Sequence, residues 1–154
     1  MPHIHDKIDF TVEVYVVNGD RVLLREHDKY GLWLSVGGHV ELDEDPNQAA
    51  LREVEEEVGL EVKLYEPEWF TENKSENYQE LIPPYFINRH RIDENHEHVT
   101  LVYFASSDSR DLRLSESEKS DEVKWFSLDE LDDPIYGISD NVKRYARTAL
   151  NKLG

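Results

Sequence analysis

The sequence predicts an α/β fold, and three features carry the prediction. Phe10 to Val17 (FTVEVYVV) alternates and is rich in β-branched residues, as a strand should be. Asp45-Pro46 and Gly59 bracket a run of good helix formers. Further strand-like runs follow that helix, and two helical segments close the chain.

The elements follow in order. Asn18-Gly19-Asp20 reads as a hairpin turn that returns the chain through Arg21 to Arg25 (RVLLR). Leu32 to Val36 leads into a loop at Gly37-Gly38. After the helix, Glu61 to Tyr65 reads as a short strand and residues 66–79 as a polar, irregular loop. Pro84 to Arg91 and Val99 to Ser106 read as strands joined by the turn DENHEH. Residues 108–121 read as a polar loop before a strand at Glu122 to Phe126. Ser127 caps a short helix and Ser139 the last one, which ends near Leu153. No internal repeat or linker is visible, so residues 1–154 read as one domain.

The first helix carries the chemistry. Asp45 suits the N-cap, Pro46 the first helical position, and Gly59 the left-handed residue that closes a helix. At about 100° per residue, Glu53, Glu56 and Glu57 share one arc, while Leu51, Val54 and Val58 form a separate apolar stripe for the core. Ala49 and Ala50 lie beside the acidic arc, where small side chains leave room for a ligand. An acid-rich helix is commonly a solvated face. Such a face normally alternates its charges, whereas these glutamates have only Arg52 nearby. Carboxylates crowded in this way suit a hard divalent cation such as Mg²⁺.

The run GHVELDEDPNQAALREVEEEVGL, Gly38 to Leu60, resembles the box G-x5-E-x7-R-E-U-x-E-E-x-G-U of the Nudix hydrolases, where U is bulky and apolar. Gly38, Glu44, Arg52, Glu53, Val54, Glu56, Glu57, Gly59 and Leu60 fill every fixed place. The flanking strand–turn–strand and the segment VKWFSLDEL are also similar to that family, although Val36 stands where many members have proline. The resemblance implies a Nudix fold, a mixed sheet sandwiched between helices. It implies a diphosphate cradled through Mg²⁺ or Mn²⁺, held by Glu53, Glu56 and Glu57 and by the carbonyl of Gly38. Arg52 would orient the glutamates and Glu44 would support the loop. Gly37 and Gly38 would let the backbone turn tightly beside the phosphates. Water would attack phosphorus and release a nucleoside monophosphate or a phosphorylated fragment. The base varies within the family. Glu97, Glu118 and Glu122 are the later candidates, and Glu118 and Glu122 rank first because they lie just before Trp125.

Composition narrows the partners. A formal charge of −17, from 34 acids against 17 bases, argues against nucleic acid polymers, whose affinity rests on Lys and Arg. A small nucleotide screened by metal ions remains compatible. No apolar run is long enough to span a bilayer, and no basic-then-apolar leader opens the chain. With no cysteine, disulfides and thiolate metal sites are excluded, and the expected setting is the cytoplasm. Many family members are dimers, so a homodimer stays open.

Substrate specificity lies outside the box. Among the aromatic residues Tyr30, Trp33, Trp69, Phe70, Tyr78, Tyr85 and Phe86, the favoured base-stacking candidates are Trp33, Tyr85 and Phe86. Tyr78 stands where dinucleoside polyphosphate hydrolases of the family carry a tyrosine. The proline expected in ADP-ribose enzymes has no clear counterpart, since Pro67 is early and Pro83 late. The preferred substrates are therefore nucleoside di- or triphosphates and related dinucleotides, ahead of ADP-ribose and nucleotide sugars. A non-catalytic nucleotide sensor is the alternative of another class, but such domains usually lose box carboxylates. An isoprenoid diphosphate isomerase would need a cysteine. His96 and His98, His3 and His5, and His39 do not form a recognisable zinc motif, and solvated or substrate-facing roles are expected for them.

Overall fold

A computed structural model describes residues 7–27, 31–114 and 122–154. Its centre is β1 (Ile8–Asn18), which pairs in parallel with β9 (His96–Ser106) from Ile8↔Glu97 to Val17↔Ser106. The hairpin at Gly19-Asp20 turns β1 into β2 (Arg21–His27), with Gly19 at φ 58°. The path β10-β2-β1-β9-β5 is completed by β10 (Glu122–Phe126) and β5 (Lys63–Leu64) at its ends. Three strands join from the side: β3 (Leu32–Leu34) on β2, β4 (Val36–His39) on β1 and β8 (Phe86–Asp93) on β9. Parallel and antiparallel pairs coexist, so the sheet is mixed.

Alternation along β1 sends its side chains into two cores. Val12, Val14 and Val16 meet Ala49, Ala50, Val54 and Val58 of α1 (Pro46–Val58). Tyr15 and Val17 meet Val142, Tyr145, Ala146, Ala149 and Leu150 of α3 (Asp140–Leu153). A strand buried on both faces by helices makes the expected helix–sheet–helix sandwich. The short α2 (Leu128–Leu131) starts at a capping box between Ser127 and Glu130. At Ser139 no side-chain cap bond forms.

The structure corrects several expectations. The segment at the glycines is no tight turn: Gly37 and Gly38 sit in β4, opposite Glu13 and Val12. They are needed for close approach, because a Cβ on Gly37 would fall 2.1 Å from Val12 O, and one on Gly38 would fall 2.3 Å from Glu53 Oε1. Helix α1 is rotated from the expected facing. Leu51 is 40% exposed, whereas Ala49 and Ala50 are fully buried. The small alanines let the helix lie close on the sheet, so they leave no room for a ligand. The loop over 66–79 contains a two-stranded ribbon, β6 (Lys74–Ser75) with β7 (Tyr78–Gln79). Strand β9 starts at His96 rather than Val99, because a turn at Glu94-Asn95 replaces the longer one.

Candidate active site

The cap of α1 fixes where its side chains point. Asp45 accepts from the Gln48 N–H at 2.9 Å, Gln48 returns a bond to the Asp45 N–H, and Gly59 closes the helix at φ 72°. Held this way, α1 aims Arg52 at the end of β4. Arg52 grips Glu44 with two bonds, Nη2 to Oε1 at 2.7 Å and Nε to Oε2 at 3.0 Å. Its Nη1 donates to Glu53 Oε1 at 3.0 Å and Glu56 Oε2 at 3.1 Å. Its Nη2 also donates to the His39 carbonyl at 3.1 Å. One guanidinium thus ties three carboxylates to the β4 backbone, the use for which a planar fork is suited. Glu44 in turn accepts from the Glu41 N–H at 3.0 Å, which fixes the loop before the helix.

The three clustered glutamates differ in environment. Glu56 is exposed, with 62% of its side chain open, whereas Glu53 is 14% and Glu57 15% exposed. Glu57 accepts from Arg25 Nη1 at 2.9 Å and from the Gly37 N–H at 3.0 Å. Burial raises the Glu53 carboxyl above its ordinary range, against the pull of Arg52. The bonds from Arg52 hold Glu44 below that range.

Beside the glycines lies a cleft of about 270 Å³ whose wall includes Glu13, Ser35, Gly37, Gly38, His39 and Glu57. It exists because β1 pairs with β4 along Thr11 to Val14 and with β2 only at Val17 and Asn18. Glu57 reaches that opening from the α1 side. Glu13 faces it from the centre of the sheet, and burial pushes its carboxyl up to about 7. At the far end stand Asp9, His39 and His98, whose ligand atoms all lie within 4.8 Å of one another. Burial, with His39, His90 and His96 nearby, holds the His98 imidazole down to about 4.

The aromatic candidates are placed elsewhere. Trp33 is 5% exposed, its ring packed edge-on against Phe126 at 5.0 Å and Tyr136 at 5.9 Å, so it has no face for a base. Tyr85 stacks on Phe104 at 4.5 Å, and Phe86 stacks on Tyr145 at 4.8 Å under the Arg144 guanidinium. Neither is in the wall of the glycine cleft. Tyr85 lines a separate cleft of about 330 Å³ with Tyr65, Pro67 and Trp69. Tyr78 is 56% exposed on β7 and donates to Glu80 at 2.5 Å. Glu118 and Tyr30 lie outside the described residues, as do His3 and His5. Glu122 is exposed on β10, paired with Glu26, and is not in the cleft wall. Glu97 is committed to Arg89 by two bonds of 3.0 and 2.7 Å.

Three residues in or next to the cleft escaped the sequence reading: Glu13 in its wall, Arg25 bonded to Glu57, and Asp9 beside His39. Glu13 did leave a signal, as a charge inside an otherwise apolar strand run, whereas Arg25 stands at the polar end of RVLLREH. Asp9 left none.

Comparison with known proteins places these features. The NUDIX domain family model matches residues 8–147. A crystal structure of a NUDIX family hydrolase from Clostridium perfringens superposes with TM-score 0.82 at 32% identity, covering 95% of this chain and 98% of that one. The MutT NUDIX hydrolase of Burkholderia pseudomallei shares the fold, with TM-score 0.63 at 23% identity over 96% of this chain and 99% of that one. An octanoyltransferase from Myxococcus xanthus is 47% identical over 60 residues, which is 35% of this chain and 17% of that protein. The chain therefore spans less than a fifth of that relative's length. No helix among the described residues is long and apolar enough to cross a membrane.

Proposed function

The chain belongs to the Nudix hydrolase family, whose general reaction is cleavage of a pyrophosphate bond, and from that premise we propose a metal-dependent hydrolase of nucleoside di- or triphosphates and related dinucleotides. The observation that carries this reading is the Arg52 network, which gathers Glu44, Glu53 and Glu56 at the edge of the β4 glycines. Glu53, Glu56 and Glu57, with the carbonyl of Gly38, would hold Mg²⁺ or Mn²⁺. The fit is chemical and steric: the donors are hard oxygens, and Gly38 lacks the Cβ that would fall on Glu53. When bound, the ion neutralises phosphate oxygens and supplies an acidified water.

The chain's own groups do the rest. Arg52 keeps the carboxylates in register. The Gly37 N–H holds Glu57 at the mouth of the cleft. Glu13, pushed up to about 7, can take a proton near neutral pH, and we read it as the base in place of Glu122. With no cysteine in the chain, and a charge of −17 that disfavours nucleic acid polymers, a small nucleotide in the cytoplasm is the natural partner. We take residues 1–154 to act as one domain.

The test is a panel of nucleoside di- and triphosphates, dinucleoside polyphosphates, ADP-ribose and nucleotide sugars, assayed for phosphate or monophosphate release. Turnover should need Mg²⁺ or Mn²⁺, stop with EDTA and fall at least about 100-fold in Glu56→Gln. Hydrolysis that survives exhaustive chelation sinks the proposal.

A further inference from the structure

A second cluster of metal-ligating side chains lies at the other end of the glycine cleft, on different strands. Asp9 on β1 and His98 on β9 are register partners, and His39 ends β4, which pairs with β1 on its other side at Thr11. Three imidazole nitrogens converge on one carboxylate oxygen. From Asp9 Oδ2, His96 Nε2 is 2.8 Å away, His39 Nε2 3.2 Å and His98 Nε2 4.0 Å. Asp9 itself is only 5% exposed.

We propose that Asp9, His39 and His98 form a binding site for a divalent ion of the zinc and cobalt class, separate from the glutamate edge. Zinc bonds of about 2.0–2.1 Å at tetrahedral angles place ligand atoms about 3.3 Å apart. The two histidine distances from Asp9, 3.2 and 4.0 Å, bracket that spacing. The 4.0 Å gap is too long for a hydrogen bond, so His98 faces the carboxylate without reaching it. A shared ion spans such a gap. Imidazole with carboxylate suits zinc, cobalt and nickel, whereas the all-oxygen glutamate edge suits magnesium. His96, closest to the same oxygen, is placed to orient the carboxylate as an outer partner. His39 and His98 both line the cleft, which gives the ion an entry path.

The ion would fasten β1, β4 and β9 together. It would also fix His39, whose carbonyl already accepts from Arg52, so the clamp reaches the backbone that carries the box. The site stands whether or not the hydrolytic reading holds, because none of its three ligands belongs to the glutamate edge.

The test is titration of the metal-free full chain with Co²⁺ in excess Mg²⁺, following the visible ligand-field bands and the metal content. The wild type and Glu56→Gln should each take up one equivalent of Co²⁺ with those bands. His39→Gln and His98→Gln should bind at least about 100-fold more weakly, since loss of an outer partner alone costs about 10–100-fold. His39 is 37% exposed, so its replacement leaves the core intact even if that of His98 does not. Zn²⁺ at a hundredfold excess over Kd should raise the wild-type Tm by roughly 5 °C or more and leave both histidine variants unmoved. Absent bands, or unchanged Co²⁺ affinity in a folded His39→Gln, overturns the proposal. Loss of the bands in Glu56→Gln overturns it as well, because the ion would then belong to the glutamates.

Discussion

At the level of single residues, the site is controlled by what is missing as much as by what is present. Gly38 leaves the space that the Glu53 carboxylate fills, and a Cβ there would fall 2.3 Å from Oε1. Gly38→Ala should therefore push Glu53 aside and lower kcat about 100-fold, the cost of a misplacement near 1 Å. Steady-state kinetics beside a thermal melt check this, and an unchanged kcat refutes it. Glu13 makes a second prediction. Its folded carboxyl sits near 7, above the ordinary 4.5, so the unfolded chain gives up the proton first. The fold is therefore penalised progressively as pH rises from about 4.5 through 7. Glu13→Gln should gain about 1–3 kcal/mol over the wild type between pH 5 and pH 8, measured by urea unfolding at each pH. A pH-independent difference would refute the buried-acid account. The residues that the sequence could reveal are those whose meeting is local. Arg52 and Glu56 touch because they are four residues apart on a helix, and Glu53 is the chain neighbour that the long Arg52 side chain also reaches. Glu13 in the cleft wall, Arg25 on Glu57 and Asp9 beside His39 are brought there by cross-strand register and strand–helix packing, which no local pattern encodes. The same ignorance of strand facing misplaced Trp33, which the fold turns into the core.

At the level of elements, α1 carries both the proposed metal ligands and half of one core. Val54 and Val58 are fully buried against β1. Val54→Asp should cost at least about 4 kcal/mol and abolish the cooperative melt, because it places an unpaired charge among Val12, Val14 and Val16. A melt like the parent's would mean the helix faces otherwise. Removing the cap is milder: Asp45→Ala should cost about 1 kcal/mol, read from the urea midpoint. The ends of α1 were legible because caps are local chemistry, and Asp45 and Gly59 stand where expected. Its rotation was not legible. Leucine looks like a core residue and alanine like filler, yet close packing on the sheet selects the small side chains and leaves Leu51 outside. The break at Ser35 between β3 and β4 was hidden for a similar reason. LWLSVGGH reads as one strand and a loop until β1 and β2 part and each claims half of it.

At the level of the whole molecule, a formal charge of −17 sets a field that an anionic nucleotide must cross. The arginines of the site do little to reverse it, because Arg52 and Arg25 are already neutralised by Glu44, Glu53, Glu56 and Glu57. Beyond a few ångströms an anionic substrate therefore meets net repulsion, and in the proposed mechanism ions bound at the glutamates supply the attraction. Added salt shortens the screening length to about 10 Å at 0.1 M, which weakens the distant repulsion more than close contact with a bound cation. With Mg²⁺ saturating, kcat/KM for an anionic nucleotide should rise a few-fold between about 20 mM and about 200 mM monovalent salt. Most enzymes that steer anions with a basic funnel show the opposite slope. A fall in kcat/KM over this range would mean that a positive path reaches the cleft, and the metal would no longer be the main source of attraction. A rise would tie the acidic surface to the proposed need for a cation, since charge brought in from solution would then outweigh what the chain's own cations supply.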